Sequence, residues 1–168
     1  QELALDLAGE GKNADLIVGN NVYAHVPNIN NFTDGIRVLL KPQGVVTLEF
    51  PHLLRLVNES QFDTVYHEHF SYLSLLAVSR ICARSDLRIF DVEELDTHGG
   101  SLRVFGCHKG AAWETTKRVE NLLAKERGQG MTQDAWYRSF QKKADAVRDG
   151  LLHFLLEQKQ FGKSVAGY

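Results

Sequence analysis

Residues 14–50 read ADLIVGNNVYAHVPNINNFTDGIRVLLKPQGVVTLEF, two short apolar runs on either side of a segment with helical spacing. The first run, Ala14-Asp15-Leu16-Ile17-Val18-Gly19, has polar ends and an apolar middle, the pattern of a buried parallel strand. After the loop Asn20 to Val26, Pro27 stands at the expected first turn of a helix. Ile29, Phe32, Ile36, Val38, Leu39 and Leu40 continue mostly at helical spacing until Lys41-Pro42 stops the pattern. Gln43-Gly44 then turns the chain into Val45-Val46-Thr47-Leu48-Glu49-Phe50, a second buried strand ending at Pro51-His52. Two strands joined by a helix imply a parallel pair with a right-handed crossover, so the fold class is α/β.

Working outward, residues 62–72 are irregular, and a helix is expected from about Ser74 to Arg84, carrying Leu75, Leu76, Val78, Ile81 and Cys82. Residues 87–95 and 101–107 alternate as strands do, and the turn Thr97-His98-Gly99-Gly100 between them is too short for anything but an antiparallel hairpin. From Trp113 the pattern becomes helical, with a break at Gly128 and Gly130. The segment 132–160 sets Trp136, Phe140, Ala144, Val147, Leu151, Phe154 and Leu155 on one face. Residues 162–168 have the look of a first strand of another α/β unit. The chain opens in a helical pattern at Gln1 without an initiator Met, and the reading is an internal fragment.

A net charge of −2, with 24% charged residues spread along the chain, offers no basic face for a nucleic-acid backbone. No apolar run approaches the roughly 20 residues that a membrane-spanning helix needs. Cys82 and Cys107 stand far apart and outside any C-x-x-C spacing, which points to a reducing cytoplasm rather than to a disulfide framework.

Ligands of open α/β sheets sit beyond the carboxyl ends of the strands. Three unusual segments lie at or near such ends: Asn20 to His25, Glu49 to His52, and His98-Gly99-Gly100-Ser101. The stretch Val65-Tyr66-His67-Glu68-His69-Phe70 follows the second. His25, His52, His67 and His69, with His98 nearby, could therefore converge on one cleft. If 65–70 is extended, His67 and His69 share one face, and Tyr66, Glu68 and Phe70 the other; a turn would break that rule. Three readings stand side by side. His67, His69 and Glu49 or Glu68 could form a two-histidine, one-carboxylate metal set; an imidazole with a carboxylate and a phenol nearby could do acid/base work; or Tyr66 and Phe70 could simply be core.

Four stretches taken in order, Asn20 to Val26, Gly44 to His52, Gln61 to Tyr72 and Thr97 to Arg103, resemble the S-adenosylmethionine-dependent sugar C-methyltransferases, which methylate C3 of nucleotide-linked 4-keto-deoxysugars. The resemblance implies that 1–110 is the latter part of a Rossmann-like class I methyltransferase domain, 111–161 a helical connector, and 162–168 the start of a C-terminal α/β domain. It also implies a small zinc-binding domain ahead of this chain, and a glycine-rich cofactor loop outside it.

By the same resemblance His69 is the general base, Tyr66 and Glu68 are its companions, and His25 is a further polar group at the sugar. Asn21 would contact cofactor or substrate, and His98, Gly99, Gly100 and Ser101 would shape the substrate pocket; no metal is assigned to these residues. The implied cofactor is S-adenosyl-L-methionine and the implied partner a small nucleotide sugar, with neither nucleic acid nor membrane involved. A metal-dependent hydrolase or oxygenase and a non-catalytic α/β binding module are the rival readings.

Overall fold

A computed structural model describes residues 1–167. Helix α1 (Glu2–Gly9) precedes strand β1 (Ala14–Asn20). Helix α2 (Ile29–Leu39) starts where the Asn28 side chain accepts the Asn31 N–H at 3.0 Å, an N-cap that satisfies one of the helix's free donors. Ile29, Phe32 and Ile36 bring its apolar stripe to the core. The helix stops because Pro42 disfavours helical backbone at the residue before it. Strand β2 (Leu40–Pro51) begins at once and pairs in parallel with β1, in register from Leu16↔Val45 to Asn20↔Glu49 after an irregularity near Ala14.

Strands β3 (Leu87–Leu95) and β4 (Ser101–His108) form the expected antiparallel hairpin, and β4 also pairs antiparallel with β2, giving the order β1-β2-β4-β3. The β3–β4 turn therefore lies at the carboxyl end of β2, with Pro51 opposite Ser101 and Glu49 opposite Arg103. The sequence predicts a buried β1, but Leu16 and Val18 are 57% and 60% exposed. Among the described residues β1 pairs only with β2, and Ile17, which alternates with those two, points to the opposite face and packs against the core.

A short helix that the pattern does not predict, α3 (Leu53–Asn58), follows β2 and buries Leu54, Leu56 and Val57. Helix α4 (Leu75–Arg84) is capped by Ser74, whose hydroxyl accepts the Ala77 N–H at 3.1 Å. Burial pushes the Cys82 thiol on this helix up to about 12, so it is a core residue and no nucleophile.

The expected connector divides in two. Helix α5 (Lys117–Gly128) packs Val119 and Leu122 into the same core as the sheet, whereas α6 (Asp134–Gln160) has no buried residue. Of the α6 face read from the sequence, Val147, Leu151 and Phe154 are exposed. Gly162, at φ 67°, ends α6 in the left-handed conformation that only glycine adopts freely. The strand expected over 162–168 does not form across 163–167, where no partner strand lies alongside among the described residues; Tyr168 lies outside them. No helix among the described residues is long and apolar enough to cross a membrane.

Candidate active site

Two loops meet beyond the carboxyl ends of β1 and β2. The first makes a 3₁₀ turn over Tyr23–His25. Tyr23 is fully buried and anchors the turn: its hydroxyl bonds Thr33 Oγ1 at 2.7 Å, and Thr33 in turn donates to the Ile29 carbonyl on α2. The next residues, Ala24 and His25, are thereby fixed to the helix.

The second loop contains the Val65–Phe70 stretch. It is a turn, since the His69 N–H donates to the Tyr66 carbonyl at 3.1 Å, so the alternation of an extended segment does not apply. Tyr66 and His69 consequently come together, with ring centroids 4.4 Å apart and Tyr66 Oη 3.3 Å from His69 Nε2. The Phe70 and Ser71 N–H groups both donate to the Ala24 carbonyl, at 2.9 and 3.2 Å, which stitches this turn to the first loop. His25 and His69 then face each other at 4.7 Å, and Tyr72 stands edge-on to His69 at 6.0 Å.

The hydrogen bonds fix which ring nitrogen is available. His69 Nδ1 lies 2.9 Å from the Thr64 carbonyl, and His25 Nδ1 lies 2.9 Å from the Glu68 carbonyl. A carbonyl can only accept, so each Nδ1 carries a proton and each neutral ring keeps its lone pair on Nε2. Two Nε2 atoms and a phenol are thus presented in one place, on loops held by the scaffold. Such a set can take a proton, return one, and donate to an oxygen that gains charge.

Other predicted residues take different places. Glu68 joins through its backbone carbonyl, while its side chain is exposed. Asn21, in the left-handed conformation at φ 53°, has its amide 3.0 Å from His98 Nε2, and its backbone N–H donates to the Glu49 carbonyl. Asn21 and His98 therefore form a second polar pair at the same end of the sheet.

Gly99 and Gly100 build the turn behind His98. Gly100 takes φ 113°, and a Cβ there would lie 2.9 Å from the Arg55 side chain. Ser101 is buried and its hydroxyl donates to the Thr97 carbonyl, so it braces the turn.

His52 does not join the cluster. It is buried against Glu126, with Nε2 2.9 Å from Oε1. Glu49 accepts from Thr97 Oγ1 at 3.1 Å and from the Arg103 guanidinium at 2.8 Å. No group of three or more histidine, cysteine, aspartate or glutamate side chains that could hold a metal ion forms among the described residues. The metal reading of His67, His69 and a glutamate finds no ligand set there.

Asn21 stands at the carboxyl end of β1, where sheets of this kind bind ligands, with its side-chain amide beside His98. Sequence reasoning gave no role to Thr64, Tyr72 or Glu126. Tyr72 could have been found from its spacing of three residues behind His69; Thr64 contributes only a backbone carbonyl, which no residue type signals, and Glu126 acts across the fold.

Residues 2–92 match the methyltransferase domain family, and residues 96–168 match the C-methyltransferase C-terminal domain. The C-methyltransferase NovU of Streptomyces niveus is 36% identical over 167 residues, which are 99% of this chain and 40% of that protein. The chain thus spans about two fifths of the length of that curated relative. Among solved structures, the complex between the Haloferax volcanii Trm112 methyltransferase activator and a methyltransferase aligns over 58% of this chain and 55% of that one, with 10% identity and a TM-score of 0.49. Magnesium protoporphyrin IX methyltransferase from Synechocystis PCC 6803, solved with bound SAH, aligns over 61% of this chain and 48% of that one, at 15% identity and a TM-score of 0.46.

Proposed function

The chain belongs to the methyltransferase domain family, and on that premise we propose that it carries the acid/base half of an S-adenosylmethionine-dependent C-methyltransferase site acting on a nucleotide-linked 4-keto-deoxysugar, at C3. The observation that supports this reading best is the paired orientation of His69 and His25, each with Nδ1 tied to a carbonyl and Nε2 left to act.

A carbon next to a ketone gives up its proton only to a base within about 3 Å, and only if the enolate oxygen is stabilised as it forms. His69 Nε2 is that base. The Tyr66 hydroxyl donates to the enolate oxygen, His25 adds a second donor there only as an imidazolium with a proton on Nε2 as well, and Asn21 with His98 holds the sugar or the cofactor. Bound S-adenosylmethionine supplies the methyl group on a sulfonium, so that a carbon–carbon bond forms as the sulfur–methyl bond breaks and sulfur keeps the electron pair. The loops serve mainly to align these partners, since transfer between positioned groups needs orientation more than further acid/base help. Residues 1–110 form the methyltransferase portion, 111–161 a connector and 162–168 the start of a further domain. Both charged substrates belong to the cytoplasm, where we place the reaction.

The test is mass spectrometry of the sugar after the full-length protein is incubated with S-adenosylmethionine and a thymidine-diphosphate 4-keto-6-deoxyhexose, beside a His69→Asn variant. A gain of one methyl group that disappears in the variant is the expected result. A cofactor-binding protein that leaves every such sugar unmethylated would overturn the substrate class.

A further inference from the structure

The His52–Glu126 pair is enclosed by the fold: the two side chains are 1% and 0% exposed. Glu126 belongs to α5, and its carboxylate accepts three hydrogen bonds. Oε1 takes the His52 ring at 2.9 Å and the Leu75 N–H at 2.8 Å, and Oε2 takes the Leu76 N–H at 2.8 Å. Those two amides open α4, whose cap Ser74 already serves Ala77. One carboxylate from the helical region thus joins the end of β2 to the start of α4.

Both partners lie one step from the candidate site. The His52 N–H donates to the Gly100 carbonyl at 3.0 Å, in the turn that presents His98 to Asn21. The Leu53 N–H donates to the Leu73 carbonyl at 2.9 Å, where the loop carrying Tyr66, His69 and Tyr72 ends. That loop is pinned at Ala24 on one side and at Leu73 on the other. A buried carboxylate is expensive to desolvate, and well-packed apolar residues in its place often stabilise a fold as much or more. Stability alone is therefore a poor account of it, whereas fixed spacing between the His98 turn and the His69 loop is what its three bonds provide.

We propose that Glu126 is a positioning residue for the His25–Tyr66–His69 site, acting through His52 and the first turn of α4 on the two segments that frame it. The region of the chain that matches the C-methyltransferase C-terminal domain thereby sets the geometry of residues in the region that matches the methyltransferase domain. The inference rests on the proposed function for its rate readout only.

The experiment compares Glu126→Gln with wild type and with Glu120→Gln, an exposed position on the same helix, in the full-length protein. Amide hydrogen exchange is followed by mass spectrometry, and methyl transfer is measured well below the melting temperature. In Glu126→Gln, exchange across 66–71 and 97–100 is expected to rise about tenfold while β1 and β2 keep their protection. kcat is expected to fall about tenfold or more with KM within about threefold, because displaced groups cost rate before they cost binding.

Unchanged exchange in those two segments would overturn the proposal, and so would a uniform rise over the whole chain, which would mark Glu126 as merely structural. If Glu126→Gln does not fold, His52→Gln and His52→Leu replace it: the first keeps a donor for the carboxylate and is expected to rescue the protection that the second loses. Equal protection in both would sink the idea. Should the wild type methylate no sugar offered, the substrate assignment falls while the exchange pattern still decides the role of Glu126.

Discussion

His69 and His52 belong to neighbouring segments at one end of the sheet and hold their rings in opposite ways. His69 is half-buried on a turn, with Nδ1 engaged by Thr64 and Nε2 3.3 Å from the Tyr66 hydroxyl. His52 is 1% exposed, its Nε2 spent on Glu126 and its Nδ1 enclosed without a partner among the described residues. Residue type and sheet position are shared, so neither decides what a histidine does. The atoms on its two nitrogens set the difference: the first ring keeps Nε2 beside a phenol at the surface of the turn, and the second is fixed as a strut.

The sharpest way to break this comparison is to remove the free nitrogen. His69→Asn is expected to lower kcat by ~10²–10⁴-fold, the usual range for a lost general base, and to leave the melting temperature within about two degrees, because a half-buried loop ring supports little packing. A near wild-type rate would remove His69 from the chemistry. Next in size is the strut. Glu126→Ala leaves two amides and a ring N–H without their acceptor, and losing one side of a buried polar pair is expected to cost ~3–5 kcal/mol of unfolding free energy, measured by denaturant titration. A loss below about 1 kcal/mol, the scale of a surface pair, would mean that the pair is as weak as an exposed one.

The same contrast explains what the sequence could reveal. The strands, α2 and the hairpin are local patterns, apolar runs or repeats of period two or 3.6, that the chain displays along its length. That His25 and His69 lie together was legible from their places beyond the carboxyl ends of the strands. The fate of His52 was not, since Glu126 lies 74 residues further along and nothing near either residue signals the bond. The exposure of Leu16 and Val18 was hidden for a related reason: an apolar run reads alike whether or not other elements cover both of its faces, and only Ile17 of the three meets the core among the described residues. The 66–69 turn depends on carbonyls at Thr64 and Ala24, which every residue carries and no sequence pattern marks.

Smaller effects sharpen the comparison within each region. Tyr66→Phe removes one long hydrogen bond, Oη to His69 Nε2 at 3.3 Å. A single neutral bond is worth about 0.5–1.5 kcal/mol, so the expected fall in kcat is roughly 3–10-fold. A fall beyond about 10²-fold, the range for losing an oxyanion donor, would instead make the phenol the principal donor to the enolate oxygen and reduce the part given to His25.

The smallest effect concerns the second anchor of α5, which lies at the surface. Burial alone would raise the Asp91 carboxyl, but hydrogen bonds from Arg118, Thr116 and the Val92 N–H outweigh it and hold the group below its ordinary range. A carboxyl lowered on folding adds stability above its unfolded pKa of about 3.9, and that contribution disappears as pH falls through the folded value. The difference in melting temperature between wild type and Arg118→Ala should therefore be present at pH 7, shrink below about pH 4 and vanish in stronger acid. Because the Arg118 side chain is 57% exposed, raising the salt concentration at pH 7 should shrink the same difference. If the difference instead persists unchanged in acid, the Arg118 stem contributes packing rather than charge, and α5 is held to β3 by the same kind of contact that buries Val119 and Leu122.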